Sequence, residues 1–420
     1  MAARERVRDD DRVRAPGRLR MLDLFPDSAR VDRGEIVIGG ARTTDLAKEF
    51  GTPLVVYCEQ TIRARARAYR EAAPEALVVY GTKAFPNVAV LRLLAEEGLG
   101  ADVSTLGELR FAQAAEMPGN RLVVHGNNKS DEELRAAAEA LAAFVVLDSV
   151  EELDRARAAG VGRMLVRVTP GIEAETHESI RTGQVGSKFG VSPEDARRLA
   201  PHVDGLHVHV GSQLLALAAA RESVAWLNRF VRDLGWTPSV LNLGGGLGVP
   251  TQPGETAPSI AEFVATLLAE LDLPVRVILE PGRSLVGQAG VTLYRVGTVK
   301  RAGERTWVAI DGGISDNPRP QLYGARYTAL VANRADAAPT GVYGVAGKHC
   351  ESGDVLIDLV ELAEPQRGDV LAVPATGAYT LGMASNYNGV PRPAAVLVAD
   401  GDARLIRRRE TVEELLAREA

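Results

Sequence analysis

The chain has 420 residues, with 49 Lys+Arg against 55 Asp+Glu, a formal net charge of −6, 25% charged and 46% hydrophobic residues. That length exceeds one barrel alone, so two domains with an ample core are expected, and the mild acidity, spread along the chain, excludes nucleic acid and anionic membrane as expected partners. Two cysteines far apart, Cys58 and Cys350, exclude a disulfide framework and a cysteine-rich zinc site, and no metal site is expected.

Residues 1–20, MAARERVRDDDRVRAPGRLR, lack the apolar core of a signal peptide and read as a disordered tail on a cytoplasmic protein. No later run approaches a membrane span. In the segment 21–45, RVDRGEIVIGG reads as a strand joining a β domain. From 46 to 290, apolar runs recur at 76–80, 101–103, 121–126, 143–148, 163–168, 205–210, 239–243 and 275–280. Amphipathic stretches such as AVLRLLAEEGL and DEELRAAAEALA separate them, and strand–helix alternation implies parallel pairing in a (β/α)8 barrel. From 291 to 420 the texture changes to short β-like runs punctuated by Gly, Pro and Asp. The expected fold is α/β plus all-β: a (β/α)8 TIM-like barrel with a C-terminal antiparallel β domain that also recruits an N-terminal strand.

Reactive groups of such a barrel project from the C-terminal strand ends, where Lys83, His209, glycines 244–246 and Glu280 fall. Lys83 closes ALVVYGTKAF and reads as a Schiff-base lysine: its amine can form an imine with an aldehyde cofactor, and burial would lower its pKa toward a nucleophilic form. The glycines of NLGGGLG (242–248) can bring backbone N–H groups to a phosphate, but the run lacks the last glycine of GxGxxG, and a tight strand-to-helix turn is the plainer alternative. In HVHVGSQ, His207 and His209 share one side of a strand, and Gly211 with Ser212 offers a second phosphate contact. Either histidine can stack on an aromatic ring or be a satisfied core residue. Glu280, in EPGRS, can hold a pyridine nitrogen protonated, with an ion pair to Arg283 as the alternative. GKHCESGD (347–354) groups a thiol able to deliver a proton with a carboxylate able to bind an ammonium, unless it is a polar turn.

Together these residues resemble the alanine-racemase-like class of pyridoxal-phosphate enzymes, and within it the decarboxylases typified by ornithine and diaminopimelate decarboxylase. The diaminopimelate branch is carried by GTPLVVYCEQTIR, YGTKAFPN, ADVSTLGEL, THESIRTG, SKFG, HVHVGSQ, GGGLG, EPGR, DNPRPQLYGARY, CESGD and GAYTLGMASNYN, in that order between residues 51 and 388. The resemblance implies pyridoxal 5'-phosphate as cofactor: Lys83 holds it, His209 stacks on it, Ser212 with Gly244, Gly245 and Gly246 receives its phosphate, Glu280 pairs with its ring nitrogen, and Asp102 supports it. It also implies Arg283, Arg319 and Tyr323 at the substrate carboxylates and Tyr379 near both cofactor phosphate and substrate. Cys350, Glu351 and Ser352 would come from the partner subunit of a homodimer, with Cys350 joining Lys83 as a catalytic residue. The reaction so implied is decarboxylation of meso-2,6-diaminopimelate to L-lysine and carbon dioxide, the last step of lysine biosynthesis.

Two stretches depart from the family pattern. LLALAAARES (214–223) is apolar until Arg221 where relatives often carry an acidic residue, which keeps a related decarboxylase of another amino acid, free or carrier-bound, as the alternative. Gly81 stands where alanine is commoner. A non-catalytic partner-binding homologue is disfavoured by the retention of Lys83, Glu280 and Cys350, and an NAD-dependent barrel enzyme rests on the glycine run alone.

Overall fold

The structure is a computed structural model that describes residues 21–171, 187–209 and 211–420. The expected tail and the motif THESIRTG lie outside the described residues. Three short strands, β1 (Arg30–Asp32), β2 (Glu35–Ile38) and β3 (Ala41–Arg42), form an antiparallel meander of their own. RVDRGEIVIGG therefore joins the β domain by packing rather than by strand pairing: Ile36 and Ile38 lie with Leu54, Val56, Val291 and Val398 in one apolar cluster.

The strand that the β domain does recruit is β4 (Leu54–Cys58), inside the stretch expected to be barrel, with all five residues buried. A short apolar run covered on both faces carries no phase that says which sheet takes it.

Eight strands then close a parallel barrel: β5 (Leu77–Gly81), β6 (Gly100–Val103), β7 (Leu122–Val124), β8 (Phe144–Leu147), β9 (Met164–Arg167), β10 (Gly205–His207), β11 (Val240–Asn242) and β12 (Arg276–Leu279). All eight coincide with the expected runs, and β12 pairs back onto β5 through Ile278 and Leu279. Several helices between them start on side-chain caps; Ser130, for example, forms a reciprocal capping box with Glu133 ahead of Asp131–Glu139.

Alternation along the strands builds two layers. Val79, Val123, Val146, Leu165, Val240 and Ile278 pack together inside the barrel, while neighbours such as Val78, Tyr80, Val124, Val145, Leu241 and Leu279 belong to the core that the helices cover. Two residues further along the inward phase the apolar layer gives way to Gly81, His125, Asp148, Arg167, Asn242 and Glu280. A polar ring thus sits on an apolar plug, at the C-terminal mouth.

The β domain follows with β13 (Gly290–Ala302), β14 (Arg305–Ile310), β15 (Leu330–Val331), β16 (Gly341–Ala346), β17 (Val355–Leu362), β18 (Val370–Val373), β19 (Ala394–Ala399) and β20 (Asp402–Arg407). The sheet order is β17-β16-β14-β13-β4-β19-β20, with β18 and β15 branching from β13. A register shift between Val296 and Val299 divides β13: its first half pairs with β4 and β18, its second with β14. The sheet is mixed rather than antiparallel, because β4 with β19 and β14 with β16 run parallel. Neither parallel pair is joined by a hairpin, the connection that imposes antiparallel order on β13–β14, β16–β17 and β19–β20. Among the described residues no helix is long and apolar enough to cross a membrane.

Candidate active site

Lys83 lies in the turn Thr82–Ala84 directly after β5 and enters a cavity of about 470 Å³ at the barrel mouth, within the range of small-molecule sites. The same cavity is lined by Asp102, His125, Arg167, His207, His209, Ser212, Gly246, Glu280, Arg283 and Tyr379. Lys83 Nζ is paired with Asp102 Oδ2. Its pKa is not lowered, as expected from burial, but raised: desolvation opposes the charge, but the side chain is 50% exposed to the cavity, and Asp102, Tyr379 and Glu280 outweigh it. Register explains the reversal, since Gly81 is the direct partner of Asp102 on the adjoining strand.

Glu280 follows β12 and is the best-furnished group in the cavity. His125 Nε2 donates to its Oε1 at 2.7 Å, Asn242 Nδ2 donates to the same oxygen at 2.5 Å, and His207 Nε2 stands 3.2 Å from Oε2. Burial alone would favour the protonated acid; the facing His125 and His207 outweigh it and hold the carboxyl well below its usual range. Burial pushes His207 down to about 4, so that ring is neutral near pH 7 and the charge resides on the carboxylate. The alternative pairing of Glu280 with Arg283 is not formed; the Arg283 guanidinium lies over the Tyr379 ring, 4.7 Å from its centroid. With His207 facing Glu280, His209 is the histidine beside the glycine run, its Nδ1 accepting from Gly245 N–H at 3.4 Å.

Sequence reasoning missed His125, Asn242 and Arg167. Each stands two residues beyond an inward apolar residue, Val123, Val240 and Leu165, so the period-2 phase of its strand carries the signal.

The glycine run faces Ser212 across the mouth. Gly244 and Gly246 have φ of +68° and +113°, and a Cβ at Gly245 would lie 2.1 Å from the Glu280 carbonyl oxygen, so only glycine fits there. Leu214 N–H donates to Gly246 O (2.9 Å), Gly248 N–H to Leu214 O (3.0 Å) and Gln213 Nε2 to Val249 O (2.6 Å), binding the two loops together. The apolar stretch that begins at Leu214 is accounted for by this bridge and by the helix Ala218–Leu234 that it leads into. The next helix after the glycines starts only at Ile260, so they form neither a tight strand-to-helix turn nor the helix-capped loop that a dinucleotide requires.

Arg319 and Tyr323 bound a short helix whose charge reaches Arg283. Burial, and then the like charge of Arg319, pushes Arg283 down to about 10. Among the described residues both guanidinium Nε atoms are buried without a hydrogen-bond partner. Two crowded buried cations with spare donors are built to receive an anion. Tyr379, at φ +59°, donates its backbone N–H to Ala84 O at 2.7 Å and so is tied to the lysine turn. Cys350, Glu351 and Ser352 stand apart: all three are exposed and absent from the cavity lining among the described residues. Glu351 accepts from Gly353 N–H at 3.1 Å and from Tyr387 Oη at 3.4 Å, while Cys350 N–H donates to Asn388 Oδ1 at 3.0 Å.

Residues 59–287 match the family of pyridoxal-dependent decarboxylases, over its pyridoxal binding domain. The diaminopimelate decarboxylase of Actinosynnema pretiosum subsp. auranticum is 45% identical over 418 residues, covering 94% of this chain and 95% of that one. The chain belongs to the pyridoxal-dependent decarboxylases. Another member, the diaminopimelate decarboxylase of Bacillus subtilis, is 41% identical over 426 residues, with 94% and 97% of the two chains covered. The crystal structure of the diaminopimelate decarboxylase from M. jannaschii in co-complex with L-lysine matches with a TM-score of 0.87 at 33% identity, over 94% of this chain and 98% of that one.

The cofactor of this decarboxylase family is pyridoxal 5'-phosphate. The cavity fits it at each end: an amine on Lys83, an ionised carboxylate on Glu280 for a ring nitrogen, and glycines with Ser212 where a phosphate needs close backbone approach.

Proposed function

We propose that this protein uses pyridoxal 5'-phosphate to decarboxylate meso-2,6-diaminopimelate to L-lysine and carbon dioxide. The observation that carries the substrate is the buried pair Arg283 and Arg319, whose Nε donors are unmatched beside the lysine cavity: a substrate that keeps one carboxylate throughout the reaction supplies their partner. The relatives and the lysine-bound neighbour named above carry the same substrate in their names. The run at 214–220, the ground for considering another amino acid, is occupied in bridging two backbone loops and favours no other substrate.

When bound, the cofactor supplies a conjugated ring that takes up the electrons left as the carboxylate departs. Lys83 would hold it, and Glu280, kept ionised by its histidine partners, would keep its ring nitrogen protonated. His209 would lie against the ring, Asp102 pairs with the Lys83 amine, and Ser212 with Gly244, Gly245 and Gly246 would take the phosphate. Arg283, Arg319, Tyr323 and Tyr379 would hold the retained carboxylate and so leave the other one free to depart, which would favour decarboxylation over racemisation. Cys350 of a second subunit delivers a proton to the carbon that loses carbon dioxide, and Glu351, with Ser352, receives the distal ammonium. The working unit is therefore a homodimer, placed in the cytoplasm.

The test is carbon dioxide release by the cofactor-loaded protein offered meso-diaminopimelate, ornithine, arginine and glutamate in parallel. Selective turnover of meso-diaminopimelate, with lysine as product, is expected. A loaded protein that releases carbon dioxide from ornithine or arginine instead, or from none, overturns the reading.

A further inference from the structure

The roles above leave one buried charge unused. Lys129 immediately precedes Ser130, the cap of the helix Asp131–Glu139, where a lysine side chain ordinarily reaches solvent. Here its side chain is 1% exposed, and Nζ makes three contacts: Gly126 O at 2.6 Å, Val146 O at 2.7 Å and Glu152 Oε1 at 2.9 Å. The first two are hydrogen bonds to backbone carbonyls and the third is an ion-pair contact, so the ammonium is met on three sides. Glu152, also buried, accepts through its other oxygen from Asp148 N–H at 2.9 Å.

A buried ion pair stabilises a fold no better than apolar side chains of the same volume, so stability does not explain this one. What the pair does achieve is geometric. Gly126 and Asn127 line the cavity, and Gly126 directly follows His125, the donor to Glu280. Gly126 has φ +125°, a conformation with little intrinsic resistance to rotation. His125 N–H is fixed on Val103 O at 2.8 Å, and on the far side of the ring-bearing residue Lys129 holds the Gly126 carbonyl, fastening it to β8 through Val146 O.

We propose that Lys129, neutralised by Glu152, is a positioning residue for the decarboxylation: it grips the loop 125–127 against β8 and so keeps the His125 imidazole on Glu280. The inference rests on the proposed function, because its consequence is read at the ring nitrogen that Glu280 faces.

Lys129→Met alone strands a carboxylate in the interior and is expected to unfold early. The informative variants are Lys129→Met/Glu152→Gln, which removes both charges, and Lys129→Arg, which keeps the charge pairing but replaces the three-way grip with a planar fork. Both are expected to melt within a few degrees of wild type, to bind pyridoxal phosphate about tenfold more weakly, and to lose about tenfold or more in kcat with substrate KM little changed, as a misplaced catalytic group implies. Adding His125→Asn to the double variant is expected to cost little further, since both changes act through one imidazole. Folded variants with wild-type cofactor affinity and kcat, or losses that multiply with His125→Asn, overturn the inference. A wild-type protein that binds cofactor but decarboxylates another amino acid leaves it standing; one that binds no cofactor overturns it together with the functional reading.

Discussion

Glu280 is 9% exposed and meets His125, Asn242 and His207 within 3.2 Å, whereas Glu351 lies in the open and is met by its own loop and by Tyr387. The first is part of a rigid barrel mouth, with its charge state set by neighbours from three strands. The second belongs to a short connection between β16 and β17, with Cys350 and Ser352 equally exposed beside it. The cavity wall is finished within this chain, whereas Cys350, Glu351 and Ser352, proposed to deliver a proton and receive a distal amine, are exposed and stand outside the lining among the described residues. A cofactor side complete in one chain and a reaction side borrowed from another is the division that we propose.

That contrast is sharpest at Lys83. Lys83→Ala should lower turnover by at least about 10³-fold and abolish the visible band of the lysine-held cofactor, measured by absorbance and steady-state kinetics. Cys350→Ala should lower kcat by about 10²-fold while leaving that band and the melting temperature untouched, because an exposed side chain with no cavity contact contributes little to folding. A weakened cofactor band in Cys350→Ala breaks the division between the two sides.

Smaller effects sharpen it. Glu351→Ala removes a charge-assisted hydrogen bond of about 1.5–3 kcal/mol and should raise substrate KM roughly 10- to 150-fold with cofactor affinity unchanged; equal losses of both would sink the role. On the rigid side, Asp316 supports the segment that leads to Arg319: it is buried, pairs with the Tyr294 hydroxyl and accepts from Gly313 N–H at 2.7 Å. Burial raises its pKa to about 7 from an ordinary 3.8, so the folded protein keeps a proton that the unfolded chain gives up. The stability this contributes is present below about pH 4 and is lost as pH rises to about 7. Asp316→Asn, neutral throughout, should match wild type near pH 4 and exceed it near pH 8 by up to a few kcal/mol, read from thermal unfolding at the two pH values. No pH-dependent difference would mean that Asp316 is ionised in the fold.

How much of this was legible differs by residue. The eight barrel strands were, because each is a short apolar run between amphipathic helical stretches, and the barrel rule then placed Lys83, His209, the glycines and Glu280 at one mouth. The recruited strand β4 was not, since Leu54–Cys58 is apolar on both faces and its partners β13 and β19 lie more than 200 residues later. His125 and Asn242 are single polar residues closing apolar runs, visible only once the inward phase of Val123 and Val240 is known. The direction of the Lys83 shift depends on Asp102, 19 residues away, reaching it through strand register, which local sequence does not display. Lys129 reads as a polar residue ahead of a helix cap, and only the fold turns it inward.

The central claim, a site shared between two chains, is tested most directly by mixing two inactive proteins, Lys83→Ala and Cys350→Ala, after subunit exchange. In a mixed dimer one of the two sites regains both an intact Lys83 and an intact Cys350, so random pairing predicts recovery to about a quarter of wild-type carbon dioxide release. Activity that stays at the mean of the two parents would contradict the account and return Cys350 to its own chain's site or to no site at all.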